Sequence, residues 1–232
     1  LLIEPPSRPD ADFDYRIFNS DGGEVEHCGN GARCLAKFVT DRKLTAKPTI
    51  TVNTASGLIE LAISESGLIS VNMGKPILDT EALPYKIPPL PDETQTVSLN
   101  TPKGPLEFGL ISMGNPHAVT IVDSIDTSDV ASIGSAVQQL RQFSDSVNVG
   151  FMEIISETEI RLRVFERGVG ETLACGTGAC SAVTYGRLLG RLGPKVTVAT
   201  RGGNLQIEWE GVGCDLKMTG PAESVFDGEF RL

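Results

Sequence analysis

Histidine is almost missing from this chain. Only His27 and His117 occur among 232 residues, so zinc sites of the familiar Cys/His spacings are hard to assemble. The cysteine pairs 28/34 and 175/180 are also spaced more widely than the usual zinc-binding pair, and no metal is expected. Basic charge is scarce as well: 20 Lys and Arg against 30 Asp and Glu leave a net charge of −10 and a pI near 4.7. Such a surface repels nucleic acid and anionic lipid alike, so neither a nucleic-acid nor a membrane partner is expected. No run approaches the roughly eighteen consecutive apolar residues of a spanning helix, and Leu1–Asp10 lacks a basic n-region and an apolar h-region. A soluble protein of the cytoplasm is the expectation. A P-loop and a strand-linked Gly-x-Gly-x-x-Gly are absent too, which removes the sequence support for a nucleotide cofactor.

What remains is ample for a core: 40% of the residues are apolar and the mean hydropathy is −0.01. Cysteine is present in odd number, as Cys28, Cys34, Cys175, Cys180 and Cys214. A chain this long needs no disulfide staples, so a reducing compartment fits and each thiol needs its own explanation. For Cys34, Cys180 and Cys214 the expectation is that of a small buried hydrophobe.

The organising feature is an internal duplication. Tyr15-Arg-Ile-Phe-Asn19 parallels Leu162-Arg-Val-Phe-Glu166, and Cys28-Gly-Asn-Gly-Ala32 parallels Cys175-Gly-Thr-Gly-Ala179, both at an offset of 147 (162 − 15 and 175 − 28). Thr51-Val-Asn-Thr54 parallels Thr197-Val-Ala-Thr200 at 146, and Val71-Asn-Met-Gly-Lys-Pro76 parallels Leu216-Lys-Met-Thr-Gly-Pro221 at 145. An offset held this closely is not a product of composition.

Each half reads as a short strand (15–18, 161–165), a turn-rich segment, a helix opened by the Gly-rich stretch, then strands at 49–54, 58–63 and 68–73 or at 196–200, 205–209 and 214–218. Ala32, Leu35, Phe38 and Val39 mark the apolar stripe of the first helix. The second, built mostly of small residues and poor in charge, is expected to be buried with sheet around it. The fold class is therefore α+β: two pseudo-symmetric α/β lobes, each a mixed, strongly curved sheet around a central helix, with the active site in the cleft between them. The N-terminal lobe is assigned to 1–99 and the C-terminal lobe to 100–232, with Pro84–Pro91 as a surface excursion or linker.

A cysteine followed by Gly-x-Gly at a helix start has a chemical purpose. The glycines let backbone N–H groups converge where helix-end charge stabilises a thiolate or a bound carboxylate. A thiol of ordinary pKa near 8.5 can serve either as acid or as base around neutral pH. Two such turns suit racemisation, which needs an acid and a base on opposite faces of a planar carbanion. Cys28 and Cys175 alone among the cysteines occupy equivalent points of the duplication.

The stretches 18–34 (F-N-S-D-G-G-E-V-E-H-C-G-N-G-A-R-C), 113–119 (M-G-N-P-H-A-V), 147–151 (V-N-V-G-F) and 164–180 (V-F-E-R-G-V-G-E-T-L-A-C-G-T-G-A-C), with Met218-Thr-Gly-Pro221, resemble the diaminopimelate epimerases. The related proline racemases share the cysteine pair but not the E-R-G-x-G-E-T approach to the second cysteine. The resemblance implies interconversion of LL- and meso-2,6-diaminopimelate for lysine and peptidoglycan synthesis, with no cofactor. It implies Cys28 as proton donor and Cys175 as proton acceptor, the two exchanging roles when the reaction reverses. Asn19, Gly29, Asn30, Asn115, Asn148, Glu166, Arg167, Gly176 and Thr177 match substrate-binding positions of the family, and His117 and Glu166 match positions that tune the thiols. A homodimer is implied in the same way.

Read without the resemblance, Asn19, Asn115 and Asn148 are also turn formers, Glu166-Arg167 a solvated pair and His117 a loop histidine. Three rival functions stay open: a racemase of proline, hydroxyproline or another amino acid, a thiol redox or metal-binding protein, and a lobe pair without catalysis. One further expectation comes from the repeat. Met113–Asp123 of the second half has its counterpart at positions −34 to −24 (113 − 147 and 123 − 147), so the first lobe is expected to lack about 45 leading residues and to be weakly active or inactive without them.

Overall fold

The computed structural model describes residues 1–18, 22–25, 29–55, 57–79, 86 and 95–229. Asn19, Cys28 and all but Lys86 of the Pro-rich segment 84–91 lie outside the described residues. Two compact units form, Leu1–Asn72 with Thr219–Leu232, and Met73–Met218.

In the first unit the strands β1 (Leu2–Glu4), β2 (Phe13–Phe18), β4 (Thr49–Thr54), β5 (Gly57–Ile63) and β6 (Ile69–Asn72) are hydrogen-bonded in that order, and β3 (Glu24–Val25) pairs with β2. The β2–β4 contact is parallel, Phe13 opposite Val52, and the rest are antiparallel. Helix α1 (Gly29–Asp41) packs on β5 and β6 through Ala32, Leu35, Ala36 and Val39, all fully buried and spaced as one helical face. Phe38, assigned to that stripe from the sequence, instead points outward and is 44% exposed. At Gly31 a Cβ would stand 2.1 Å from the Tyr15 hydroxyl, so the second glycine of the first Gly-x-Gly is where β2 closes on the helix.

The second unit arranges β14 (Gly203–Glu208), β13 (Lys195–Thr200), β11 (Glu159–Glu166), β10 (Asn148–Ser156), β9 (Pro116–Ile121), β8 (Gly104–Ser112) and β7 (Thr96–Thr101) side by side, with β12 (Gly170–Thr172) on β11. The β9–β10 and β11–β13 contacts are parallel. Alternation along the strands separates two faces. Phe108, Leu110, Val149 and Phe151 join Val130, Ile133 and Val137 of α2 (Val130–Gln138), whose first turn is capped by the Asp129 carboxylate. Gly109 belongs to the other face, where it meets the Tyr185 ring of α3 (Gly176–Leu188). Every residue of α3 from Gly176 to Gly186 is buried, in keeping with the lack of charge in that stretch.

The duplication is realised in the pairing. Ile17↔Val25 and Phe18↔Glu24 in the first unit correspond to Val164↔Thr172 and Phe165↔Glu171 in the second, each 147 residues on. The third strand of the second half, expected at 214–218, is β15 (Lys217–Gly220), and its Thr219 hydroxyl bonds that of Ser70 at 2.7 Å. The unit boundary also differs from the 99/100 division. Strand β7 spans that point and pairs with β8, Thr96 opposite Gly109, so residues 73–99 belong to the second unit. Cys180 is buried as expected, but Cys34 and Cys214 are exposed, because α1 turns Cys34 away from its apolar face and Cys214 lies beyond β14 in the turn closed by its N–H to Gly211 O. Among the described residues no helix is long and apolar enough to cross a membrane.

Candidate active site

Cys175 is the N-cap of α3, in extended conformation (φ −123°, ψ 113°), and no side chain caps the helix start. The N–H groups of Gly176 and Thr177 are thereby left without a side-chain acceptor, while that of Gly178 faces the thiol. Gly178 lets the turn sit close to β11: a Cβ would lie 3.0 Å from Val164 Cγ2 and 3.3 Å from the Cys175 sulfur. Burial pushes the Cys175 thiol up to about 12, and the Glu166 carboxylate adds to this by its charge and by a hydrogen bond, while the Thr177 hydroxyl and the Gly178 N–H act in the opposite sense. Cys175 is thus a thiol, held next to a carboxylate.

Further side chains converge on this turn. Thr177 Oγ1 lies 3.6 Å from Cys175 Sγ and accepts from Asn115 Nδ2 at 3.3 Å. Asn115 comes from the β8–β9 turn, where Gly114 (φ +91°) supplies the left-handed residue, and its Oδ1 meets His117 Nε2 at 3.1 Å. His117 sits in β9 rather than in a loop, 1% exposed, with Nδ1 unpartnered among the described residues. Asn148, opposite His117 in the parallel β9–β10 pair, is buried; its Nδ2 donates to Pro116 O at 3.1 Å and its Oδ1 accepts from the Arg167 N–H at 3.0 Å. Arg167 is exposed and its Nη1 donates to Asp145 O at 3.1 Å. Glu166 ends β11 half-buried and accepts from the Thr172 hydroxyl. Asn115, His117, Asn148, Glu166, Arg167, Gly176 and Thr177 are thus brought together around Cys175. In the first unit Gly29 is buried at the start of α1, and Asn30 Oδ1 is buried without a partner among the described residues. No three His, Cys, Asp or Glu side chains converge as a metal site among the described residues.

Comparison with known proteins assigns the chain. It matches the family described as diaminopimelate epimerase over residues 1–78 and 109–225. It is 50% identical over 232 residues to the diaminopimelate epimerase of Teredinibacter turnerae, covering 100% of this chain and 83% of that one. This chain belongs to the diaminopimelate epimerase family. A second member, the diaminopimelate epimerase of Chromobacterium violaceum, is 53% identical over 233 residues, again with 100% and 83% coverage. Among solved structures, a probable proline racemase from Agrobacterium radiobacter superimposes with a TM-score of 0.67 at 18% identity, covering 97% of this chain and 75% of the other. A hydroxyproline epimerase from Agrobacterium vitis gives 0.69 at 15% identity, with 94% and 71% coverage. At such identities the likeness is one of fold, α+β with two lobes.

The family motifs single out Cys175, Glu166 and His117, and the Gly178 N–H on the thiol accords with the expected convergence of backbone donors at the glycines, but two supports of this site escaped the sequence reading: the Thr172 hydroxyl on Glu166 and the Asp145 carbonyl on Arg167. The hairpin register points to Thr172 once β11 and β12 are paired; nothing local marks a backbone carbonyl.

His117 carries a stability consequence. Burial, with the Arg167 cation adding to it, lowers its pKa from 6.5 to about 3. Between those values the unfolded chain binds a proton here that the folded chain does not. The contribution is therefore fully present above pH 6.5 and is lost as pH falls toward 3, at a rate on the order of 1.4 kcal/mol per pH unit. Denaturant midpoints taken from about pH 6.5 to 5, above the ordinary carboxylate range, should fall with pH, and His117→Gln should flatten that slope. An unchanged slope would mean that the imidazole is protonated in the folded protein.

Proposed function

We propose that this chain interconverts LL- and meso-2,6-diaminopimelate by moving a proton at Cα between two cysteine thiols, in the cytoplasm, where it supplies lysine and peptidoglycan synthesis. The observation that carries the assignment is membership of the epimerase family along nearly the whole chain. The geometry around Cys175 supports the chemistry. A thiol kept protonated by burial is ready to deliver a proton to carbon, and Glu166 beside it can take that proton when the same sulfur must act as base. Cys28, at the equivalent point of the duplication, is the second carrier. Cys175, its own proton passed to Glu166, takes the Cα proton and Cys28 delivers one to the opposite face, which inverts the centre, and the roles exchange in the reverse direction.

General acid–base groups supply about 10²–10⁴-fold, too little for a poorly acidic Cα–H. Stabilisation of charge on the reacting carboxylate supplies the balance, and the uncapped N–H groups at Gly176 and Thr177 suit that task. In the first half, Asn19, Gly29 and Asn30 complete the binding set, and the unpartnered Asn30 Oδ1 is available to a substrate ammonium. Arg167, Asn115 and Asn148 are assigned to the distal amino-acid group. An odd number of cysteines in a chain too long to need disulfide staples accords with a reducing cytoplasm, and the family resemblance favours a homodimer.

The test is exchange in D₂O with LL-diaminopimelate and, separately, L-proline. Deuterium entering Cα of diaminopimelate with formation of the meso isomer is the expected result. Exchange into proline alone would reassign the substrate, and exchange into neither would remove the activity. For the distal group, Arg167→Met should raise KM for diaminopimelate about 10–100-fold, since a planar, charged, two-pronged donor is lost. Steady-state kinetics that leave KM unchanged would take Arg167 out of substrate binding.

A further inference from the structure

Glu166 acts on Cys175 only while its carboxylate stays beside the sulfur, and a glutamate at the end of a strand has three side-chain torsions with which to leave. What stops it lies across the hairpin. In the β11–β12 register Thr172 is opposite Val164, and Glu166 is opposite Gly170, which has no side chain to compete for the space. Val164 and Glu166 share one face of β11, the face on which Val164 Cγ2 abuts the Gly178 turn of α3. The hairpin can be this tight because Gly168 (φ +74°) and Gly170 (φ +89°) take the left-handed conformations. The Thr172 hydroxyl then reaches diagonally to donate to Glu166 Oε1.

The internal repeat gives an independent comparison. At the 147-residue offset Glu166 corresponds to Asn19, and Thr172 to Val25 (166 − 147 and 172 − 147). The half with a carboxylate before its cysteine has a hydroxyl at the cross-strand position. The half with a neutral amide has none.

We propose that Thr172 is a positioning residue for proton transfer, its hydroxyl holding the Glu166 carboxylate against the Cys175 sulfur. This rests on the reading of Cys175 as a proton carrier. The groups around that sulfur are Glu166 from β11, Thr177 and the Gly178 N–H from α3, and Asn115 with neutral His117 behind Thr177; Arg167 is turned outward to Asp145. Of these Glu166 is the anion that disfavours the thiolate, so releasing it makes the thiolate easier to form while removing the proton's acceptor.

The experiment uses Thr172→Val, which places the first repeat's residue in the second, with Thr172→Ser, Glu166→Gln and the double variant Thr172→Val/Glu166→Gln. Two readouts are taken: kcat and KM for diaminopimelate, and the pH midpoint of Cys175 alkylation followed by peptide mapping, which needs no turnover. Thr172→Val is expected to lower kcat about 10–100-fold with KM little changed, as for loss of one hydrogen bond to a charged group. Its alkylation midpoint should move to lower pH, as in Glu166→Gln, and the double variant should move no further than either single one. Thr172→Ser keeps the donor and should recover most of the rate and the native midpoint. If the valine variant fails to fold, Thr172→Ala replaces it in the same comparison. Native kcat and midpoint in the variant without a hydroxyl, or additive effects in the double variant, overturn the proposal. Native turnover by Cys175→Ser would instead overturn the reading on which it rests.

Discussion

Cys175→Ser should lower epimerisation of diaminopimelate by about three orders of magnitude or more, with the loss in kcat. A serine hydroxyl has nearly the volume of the thiol but almost none of its acidity, so one face of the carbanion loses its proton carrier. The fold should survive. The helix buries all of Gly176–Gly186, and its place is set by the strands packed on it. A melting temperature within a few degrees of the native protein, together with unreacted substrate, is the expected pair of observations. Cys28→Ser should behave in the same way if the duplicated cysteine is the second carrier. Cys180→Ser, fully buried one helical turn along, should keep its turnover apart from any loss of stability. Native kcat in Cys175→Ser would end the two-thiol mechanism.

The largest stability effect is expected at Gly109, a position with no part in the chemistry. A Cβ there would stand 2.1 Å from Tyr185 Cδ2 and 2.4 Å from its Cγ, inside a ring that is 2% exposed and whose hydroxyl is 3.2 Å from Thr96 Oγ1. Neither β8 nor α3 can give way, since β8 is hydrogen-bonded on both sides and α3 is enclosed. Gly109→Val should therefore cost about 3 kcal/mol or more, as overpacking of a filled core does, and lower the melting temperature by roughly 6–12 °C in a chain of this size. Pairing it with Tyr185→Leu should recover part of the loss by vacating the ring's space. A native melting temperature for Gly109→Val would show that α3 is not seated on β8 in this way.

Much of the fold was legible because its signals are local. Strands β4, β5, β13 and β14 fall within three residues of where β-branched alternation and turn glycines put them, and both helices begin at the Gly-x-Gly stretches. Helix α2 was not anticipated. It has nine residues, two of them serine and one glycine, and the reason for Gly134 is tertiary: a Cβ there would stand 2.6 Å from Phe165 Cγ. The parallel partnership of β9 with β10 was equally hidden, since a crossover through a helix leaves no trace in either strand's own pattern. Phe38 shows the reverse error: helical spacing admitted it to the buried stripe, but the width of the stripe is decided by what packs on the helix, and Phe38 is left exposed while Ala32, Leu35, Ala36 and Val39 are buried.

The sequence by itself determined the duplication, the two cysteine turns and the family motifs, because repeated residues, helix starts and tight turns are encoded over a few positions. The state of the chemistry was decided by tertiary structure. Whether Cys175 is a thiol or a thiolate depends on burial, on the anion at Glu166 and on the opposing hydrogen bonds from Thr177 and Gly178. The neutrality of His117 follows from its enclosure in β9. These are properties of surroundings assembled from β9, β11, β12 and α3, residues 115–178, and a charge has no fixed proton affinity until those neighbours have replaced its water.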